Sequence, residues 1–378
     1  MQIHKAFKFK ILPNGEQIRK MKQFCGCSRF VFNRALAYQN EQYEADKSFK
    51  FSYVKLANLL PEWKRELVWL KDCHSQVLQQ SLKDLEASFK NFFSKRSNFP
   101  KFKRKGEKES FRFPQGCKLE QQNNRIYLPK IGWVCYRNSR DVIGTIKNVS
   151  VSQKCGKWYV SIQTEWETET PMPNGGEIGI DMGIVRSATL SNGEYFEPVN
   201  AFKSYKGKLA KLQKRFKNKT KFSKNWQKLK AKIAKLHHKI SNIRKNYLHQ
   251  ISSKISKNHA IVYVEDLQVA NMSKSAKGNA EQHGKNVKQK SGLNRAILDQ
   301  SWFEFRRQLD YKLAWNGGFL FAVPAQNTSR TCPCCGYSSK ENRQTQADFE
   351  CVECGYQNNA DVVGAINILK RGQALQAA

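Results

Sequence analysis

Glu177-Ile178-Gly179-Ile180-Asp181-Met182-Gly183 decides how this chain is read. An apolar run ends there in a carboxylate flanked by glycines, which suits a strand that stops at a tight exit where another backbone can approach. Pro171, Pro173, Asn174, Gly175 and Gly176 form a junction before it, and Arg186 to Tyr195 follows with a Ser191-Asn192-Gly193 hairpin turn. Two more acids hold comparable places. Glu265 ends the apolar run Ile261-Val262-Tyr263-Val264, read as a buried parallel-type strand. Asp361 heads an Ala/Val/Ile-rich helix just past four paired cysteines.

Singly, each acid has a plain structural reading. Asp181 suits a strand end, and Asp361 suits a helix N-terminus favoured by the dipole. Asp266 adjoins Glu265 and points away from it by strand alternation, so it is read as a cap or turn residue. Jointly the three acids mean more, because carboxylates are hard oxygen ligands suited to Mg²⁺ or Mn²⁺. Phosphodiester hydrolysis is commonly managed by two such ions about 4 Å apart, held by acids on rigid elements. Asp on the first strand, Glu on a later central strand and Asp on the terminal helix form the layout of an RNase H-like nuclease. No histidine cluster competes with it, and no phosphate-cradling Walker loop implies ATP.

The charge agrees with a polyanionic substrate. The 378 residues hold 66 Lys+Arg against 31 Asp+Glu, a net charge of +35, with no acid between Glu197 and Glu265. Such a chain repels itself unless a polyanion neutralises it, which makes nucleic acid the expected partner and a ribosomal or membrane-surface protein the bland alternative. An apolar fraction of 40% argues for a folded protein. No secretion signal and no run of 18 apolar residues is found, so neither export nor membrane insertion is expected.

Before the first acid, Ile3, Phe7, Phe9 and Ile11 alternate with polar residues as a strand, and Ile18 to Leu36 follow as a helix. Helices are expected at 54–70 and 74–93, the second with Val77, Leu78, Leu82, Leu85, Phe89 and Phe92 on one face. Phe99-Pro100-Lys101-Phe102-Lys103-Arg104-Lys105-Gly106 interleaves cations with rings, which suits phosphate contact and stacking. Residues 111–168 read as short strands, forming a small β domain or a partly open barrel. Residues 201–260 hold nineteen Lys/Arg. Within them Trp226, Leu229, Ile233, Leu236, Ile240, Ile243 and Tyr247 make one helical seam, read as half of a hairpin with Leu212 and Phe216, or as a coiled-coil dimer. Lys101, Phe102, Lys103, Arg104, Lys105, Lys214, Arg215, Lys228, Lys232, Lys239 and Arg244 are the candidate nucleic-acid contacts. A polar segment at 271–292 reads as a mobile loop placed to gate the acids, then a helix at 298–316 and a strand Phe319–Val323.

Cys332-x2-Cys335-Gly336 and Cys351-x2-Cys354-Gly355 have zinc-ribbon spacing and imply one structural Zn²⁺ on Cys332, Cys335, Cys351 and Cys354. Cys334 is read as a non-ligand. The other six cysteines are read as ordinary buried thiols of a reduced compartment.

The chain resembles the TnpB, or OrfB-type, proteins of bacterial insertion sequences, relatives of the compact type V CRISPR nucleases. The resembling segments are Phe32-Asn33-Arg34-Ala35-Leu36, Leu128-Pro129-Lys130-Ile131-Gly132, Gly179 to Gly183, Val264-Glu265-Asp266-Leu267, Ser301-Trp302 through Leu309-Asp310-Tyr311-Lys312, Thr328-Ser329, and the cysteine pairs with Asp361. The resemblance implies a multidomain α+β fold. Residues 1–12 with 106–172 would form a β-barrel-like, OB-like wedge domain, and 13–105 a helical recognition lobe. Residues 173–325 with 356–370 would form a RuvC-like α/β nuclease domain, with a zinc-ribbon insert at 326–355 and a tail at 371–378. It implies an RNA-guided endonuclease that cuts double-stranded DNA beside a short motif, with Asp181, Glu265 and Asp361 as catalytic Mg²⁺ ligands. A guide RNA derived from the transposon end, a monomer or homodimer on that RNA, and a bacterial cytoplasmic location, on the nucleoid when bound to DNA, follow from the same resemblance. A strand-transferring transposase and a non-cleaving guided repressor are the alternatives. One departure stands out: where the family usually has Asp-x-Asn-Ala-Ala, this chain has Val363 and Gly364, which implies loss of a polar group near the metals and a weaker helix.

Overall fold

The computed structural model describes residues 1–279 and 281–377. Ala280, in the segment read as a gating loop, and Ala378, in the tail, lie outside the described residues. The chain divides into two compact units, Met1–Thr168 and Glu169–Ala378.

The first unit opens with β1 (Gln2–Leu12) and α1 (Gly15–Ala45). Asn14 starts α1 with a capping box: its side chain accepts from the Gln17 amide at 2.8 Å, and the Gln17 side chain accepts from the Asn14 amide at 3.1 Å. The helix expected at 54–70 is broken into α2 (Tyr53–Asn58), α3 (Leu60–Glu66) and a 3-10 turn, Val68–Asp72. Pro61 is the reason, since it has no N–H to continue α2 and is tolerated only in the first turn of α3. Helix α4 (Ser75–Phe93) buries Val77, Leu78, Leu82, Leu85 and Phe89 of the face its periodicity named, while Phe92 at its end is only half-buried.

Six strands follow: β2 (Glu109–Phe113), β3 (Lys118–Glu120), β4 (Arg125–Leu128), β5 (Gly132–Tyr136), β6 (Thr145–Lys154) and β7 (Lys157–Glu167). They join β1 in an antiparallel sheet of order β2-β6-β7-β1-β5-β4-β3. This corrects the barrel-like expectation. The end strands β2 and β3 are short and do not pair with each other, so the sheet stays open. Its apolar face is covered by helices instead of by its own curl: Phe24 of α1 packs on Phe111 and Phe113 of β2 at 5.4 and 6.3 Å between ring centres. Helices and sheet share one hydrophobic core.

The second unit is built on a five-stranded mixed sheet. Its strands are β8 (Glu177–Asp181), β9 (Ala188–Leu190), β10 (Tyr195–Phe196), β11 (Ile261–Glu265) and β12 (Phe319–Val323), in the order β10-β9-β8-β11-β12. β8, β11 and β12 run parallel, while β9 and β10 turn back as the expected hairpin. Helix α5 (Ala201–Lys217) and α6 (Lys224–Asn258) pack on each other within one chain through Leu209, Leu212, Ile233, Leu236 and Ile240, as the hairpin reading expects.

Short α7 (Val269–Met272) precedes α8 (Val287–Gln300) and α9 (Trp302–Trp315). Two expectations change here. The end of the segment read as a loop is helical, and the helix placed at 298–316 is divided by Ser301, whose φ of 57° belongs to the left-handed region. Ile178, Ile180, Val262 and Val264 face Leu248, Ile251 and Ile255 of α6 and Phe305, Leu309 and Leu313 of α9. By strand alternation the other face carries Gly179, Tyr263 and the terminal helix α10 (Ala360–Ala377). Gly179 permits that packing: a Cβ there would lie 2.1 Å from the Ala365 carbonyl oxygen. Between β12 and α10 lies the cysteine segment, with a two-stranded ladder of β13 (Asp348–Glu350) and β14 (Gln357–Asn359). No described helix is long and apolar enough to cross a membrane.

Candidate active site

Asp181 and Glu265 end adjacent parallel strands. Val264 pairs with Ile180, so the two acids stand at the same height on the carboxyl edge of the sheet. Counted in twos along each strand, both belong to the face covered by α10, whose first turn carries Asp361. Gly364 brings α10 against Asp181, since a Cβ there would stand 3.3 Å from Oδ2. The structure therefore gathers three acids separated by 84 and 96 positions of chain.

Their electrostatics reflect that crowding. Burial, with the charges of Glu265 and Asp361 beside it, pushes the Asp181 carboxyl up to about 8, against the pull of Arg343 and the Met182 amide. Burial also raises Glu265, opposed by the Thr328 hydroxyl and by Arg371. The raised Asp181 and Glu265 carboxyls face Asp361, and hard oxygen donors of this kind suit a divalent cation.

Four neighbours were not among the candidate site residues read from the sequence. Thr328 donates to Glu265 Oε1 at 2.6 Å, and Asn367 donates to the carbonyls of Thr328 and Thr331 at 2.8 and 2.6 Å. Arg371 donates to the carbonyls of Pro324 and Gln326. Arg343 reaches Asp361 at 3.9 Å from the cysteine segment. Thr328 was visible only as a motif letter, and Arg343 is one of 66 cations. Asp266 pairs with Arg306 at 2.6 Å, away from the cluster as strand alternation required.

The four paired cysteines converge, with their sulfurs all within 4.8 Å of one another and two pairs at 3.6 Å. Tetrahedral Zn–S bonds of about 2.3 Å would set sulfurs roughly 3.8 Å apart. The cluster is able to hold one metal ion. Cys334 is outside it and donates its backbone N–H to Cys332 Sγ at 3.4 Å. Val363 is fully buried against Cys332, Phe349 and Cys351. This corrects the expectation that position 363 addresses the nuclease metals: it faces the cysteine core.

The basic residues divide. Lys101, Phe102, Arg104, Lys105, Lys214, Arg215, Lys228, Lys232 and Lys239 are exposed. Lys103 turns inward, with its Nζ 3.8 Å from the Phe32 ring centre, and Asn33 bonds both its backbone N–H and its carbonyl. Arg244 is held by Asp299 at 3.3 Å and by the Leu298 carbonyl. Neither is a free phosphate contact.

Three family models match the chain: "Probable transposase" over residues 160–276, "Cas12f1-like, TNB domain" over 302–368 and "Helix-turn-helix domain" over 1–48. A protein of Escherichia coli (strain K12), named "Putative RNA-guided DNA endonuclease InsQ", is 56% identical over 375 residues, which span 98% of this chain and 93% of that one. The chain belongs to the TnpB, or OrfB-type, family. A further relative in Streptomyces pristinaespiralis, named "Putative RNA-guided DNA endonuclease", is 32% identical over 100% of this chain and 91% of its own. The fold is that of the protein in "Cryo-EM structure of the Cas12f1-sgRNA-target DNA complex", with a TM-score of 0.57 at 13% identity over 97% of this chain and 98% of that one. In this TnpB-family chain residues 1–48 form β1 and the unbroken α1, so the segment named helix-turn-helix is a strand and one long helix.

Proposed function

We propose that this chain is an RNA-guided DNA endonuclease whose cleavage centre is formed by Asp181, Glu265 and Asp361. The single observation that carries the centre is the convergence of the three acids, with Asp181 held up to about 8 by burial and by the other two. Bound Mg²⁺ or Mn²⁺ would supply an activated water and stabilise the leaving oxygen in an in-line displacement. Asp181 and Glu265 would hold such ions from rigid strand ends, and Asp361 from the first turn of α10. Thr328 fixes the rotamer of Glu265, and Arg343 brings a cation to Asp361, where a substrate phosphate would find it. One Zn²⁺ on the four thiolates would be structural, since all four ligands come from protein and leave no open position.

The strand order of the second unit, three antiparallel strands followed by two parallel to the first, supports a RuvC-like assignment for 173–325 with 356–370 and a ribbon insert at 326–355. We assign the open sheet to the wedge role and 13–105 to the recognition role. Family membership supports the guide: relatives carry RNA-guided endonuclease in their names. Pairing with a transposon-derived RNA would read the double-stranded target, and protein contacts would read a short adjacent motif.

The deciding experiment is purification with bound RNA, sequencing of that RNA, and incubation of the complex with a matched DNA duplex in Mg²⁺. Cleavage that disappears in Asp181→Ala, with RNA retention unchanged, is the expected result. An intact complex that binds matched DNA and never cuts it would leave the repressor reading standing instead.

A further inference from the structure

The first unit contains a pocket with no part in the chemistry above. It lies between the end of α1, the 46–52 segment and the last turns of α4, and its cavity volume is about 760 Å³, in the range of small-ligand sites. Its wall is aromatic. The Phe51 and Phe89 ring centres are 4.8 Å apart, Phe89 and Phe93 stack at 6.2 Å, and Phe99 stands edge-on to Phe89 at 5.7 Å. Phe93 is 70% exposed and Phe99 45%, so the fold leaves this ring surface uncovered.

Gln39 lines the same cavity and is 5% exposed, yet no partner among the described residues bonds its amide. Its amide opens into the solvent-filled cavity with donor and acceptor both unbonded by protein, the two-sided edge that a nucleobase presents in return. Lys50 and Lys47 line the same cavity, Lys47 with its Nζ 4.9 Å from the Tyr43 ring centre, while Lys90 is paired with Glu86 at 3.0 Å. An apolar peptide side chain would cover the rings but leave Gln39 unpaired and gain nothing from the lysines. A nucleotide uses all three features.

We propose that this pocket takes one unpaired nucleobase of a bound RNA strand, stacked on Phe93, hydrogen-bonded by Gln39 and flanked by phosphates on Lys47 and Lys50. The choice of RNA over DNA rests on the function proposed above; the pocket itself does not.

The test uses full-length protein stripped of nucleic acid and fluorescence anisotropy with a short single-stranded RNA, the same sequence as DNA, and a duplex RNA. Phe93→Ala removes an exposed ring and Gln39→Leu keeps volume, so both variants should melt like the parent. Each is expected to weaken single-stranded RNA binding about tenfold, with duplex binding and salt dependence unchanged. Lys50→Ala should reduce the salt slope by about one. Unchanged affinity in both variants overturns the proposal, as does an equal loss on duplex RNA or tighter, equally sensitive binding of DNA. A parent dimer that Phe93→Ala dissociates in sedimentation also overturns it and makes the pocket a contact between copies. Failure of the nuclease reading would show separately, as absent cleavage with pocket-dependent RNA binding intact.

Discussion

The Thr328 hydroxyl donates to Glu265 Oε1 at 2.6 Å, and both residues are buried. Asn367 in turn holds the carbonyls of Thr328 and Thr331, and Thr331 directly precedes Cys332. A carboxylate at the end of β11 is thereby latched to α10 and to the start of the cysteine cluster. Thr328→Val deletes a hydrogen bond to a charged group, worth about 2 kcal/mol, and frees the Glu265 rotamer. Mn²⁺ affinity by titration calorimetry should fall and cleavage should slow, with Thr328→Ser restoring both. If valine and threonine bind Mn²⁺ alike, the latch has no role in the centre.

Arg343 opposes the rise of the Asp181 carboxyl and reaches Asp361. Its removal leaves the acids with less positive charge, so Arg343→Met should bind divalent ions more tightly while cutting DNA more slowly. Opposite changes in these two quantities distinguish loss of a phosphate contact from simple misfolding, which would weaken both.

Gly364 presents open backbone to Asp181 at a helix position where alanine would gain about 1 kcal/mol of propensity. The added Cβ would stand 3.3 Å from Oδ2, a gap that a side chain at a strand end can widen by a small shift. Gly364→Ala should raise the melting temperature by a few degrees and keep cleavage. Gly364→Val has no such room and should abolish cleavage. Calorimetric melts and a cleavage assay check both.

The cysteine segment has a small core of Cys332, Phe349, Cys351, Ala360 and Val363, so a metal on the proposed thiolate site would carry much of its stability. The protein should carry one zinc per chain by atomic absorption. Chelation or Cys351→Ser should open residues 326–359 to proteolysis and, through Thr331 and Arg343, lower Mn²⁺ affinity at the three acids.

Burial and the neighbouring acids hold the Asp181 carboxyl at about 8 against an ordinary value of 3.8. The folded chain keeps this proton when the unfolded chain has already lost it. The stabilisation is therefore complete below 3.8 and is lost as pH rises to about 8, on the order of a few kcal/mol. Denaturant melts in chelator should show that decline, Asp181→Asn should flatten it, and Mg²⁺ should restore stability at the alkaline end. A pH-independent stability in chelator would contradict the crowding of the three acids.

Short-range chemistry made much of this protein legible. The Asp181, Glu265 and Phe319–Val323 strands, the Ser191-Asn192-Gly193 turn, the α4 face and the α5–α6 seam all announce themselves by alternation, periodicity and turn residues, because each depends on neighbours a few positions away. Pro61 and Ser301 broke helices that periodicity alone ran together, since the apolar spacing continues through a missing N–H or a left-handed residue.

The open sheet was beyond the reach of local pattern. Alternation says that a face is apolar and does not say whether helices or more strands cover it; Phe24 against Phe111 and Phe113 settled that. Lys103 and Arg244 read as free cations until Phe32, Asn33 and Asp299 were brought beside them. The sequence by itself singled out the three acids and the four thiolates as candidate ligands, because residue type and placement advertise them. Only the tertiary structure decided which groups stand against those candidates. Thr328, Arg343, Asn367 and Arg371 are ordinary polar residues whose roles exist through contacts made across long stretches of chain.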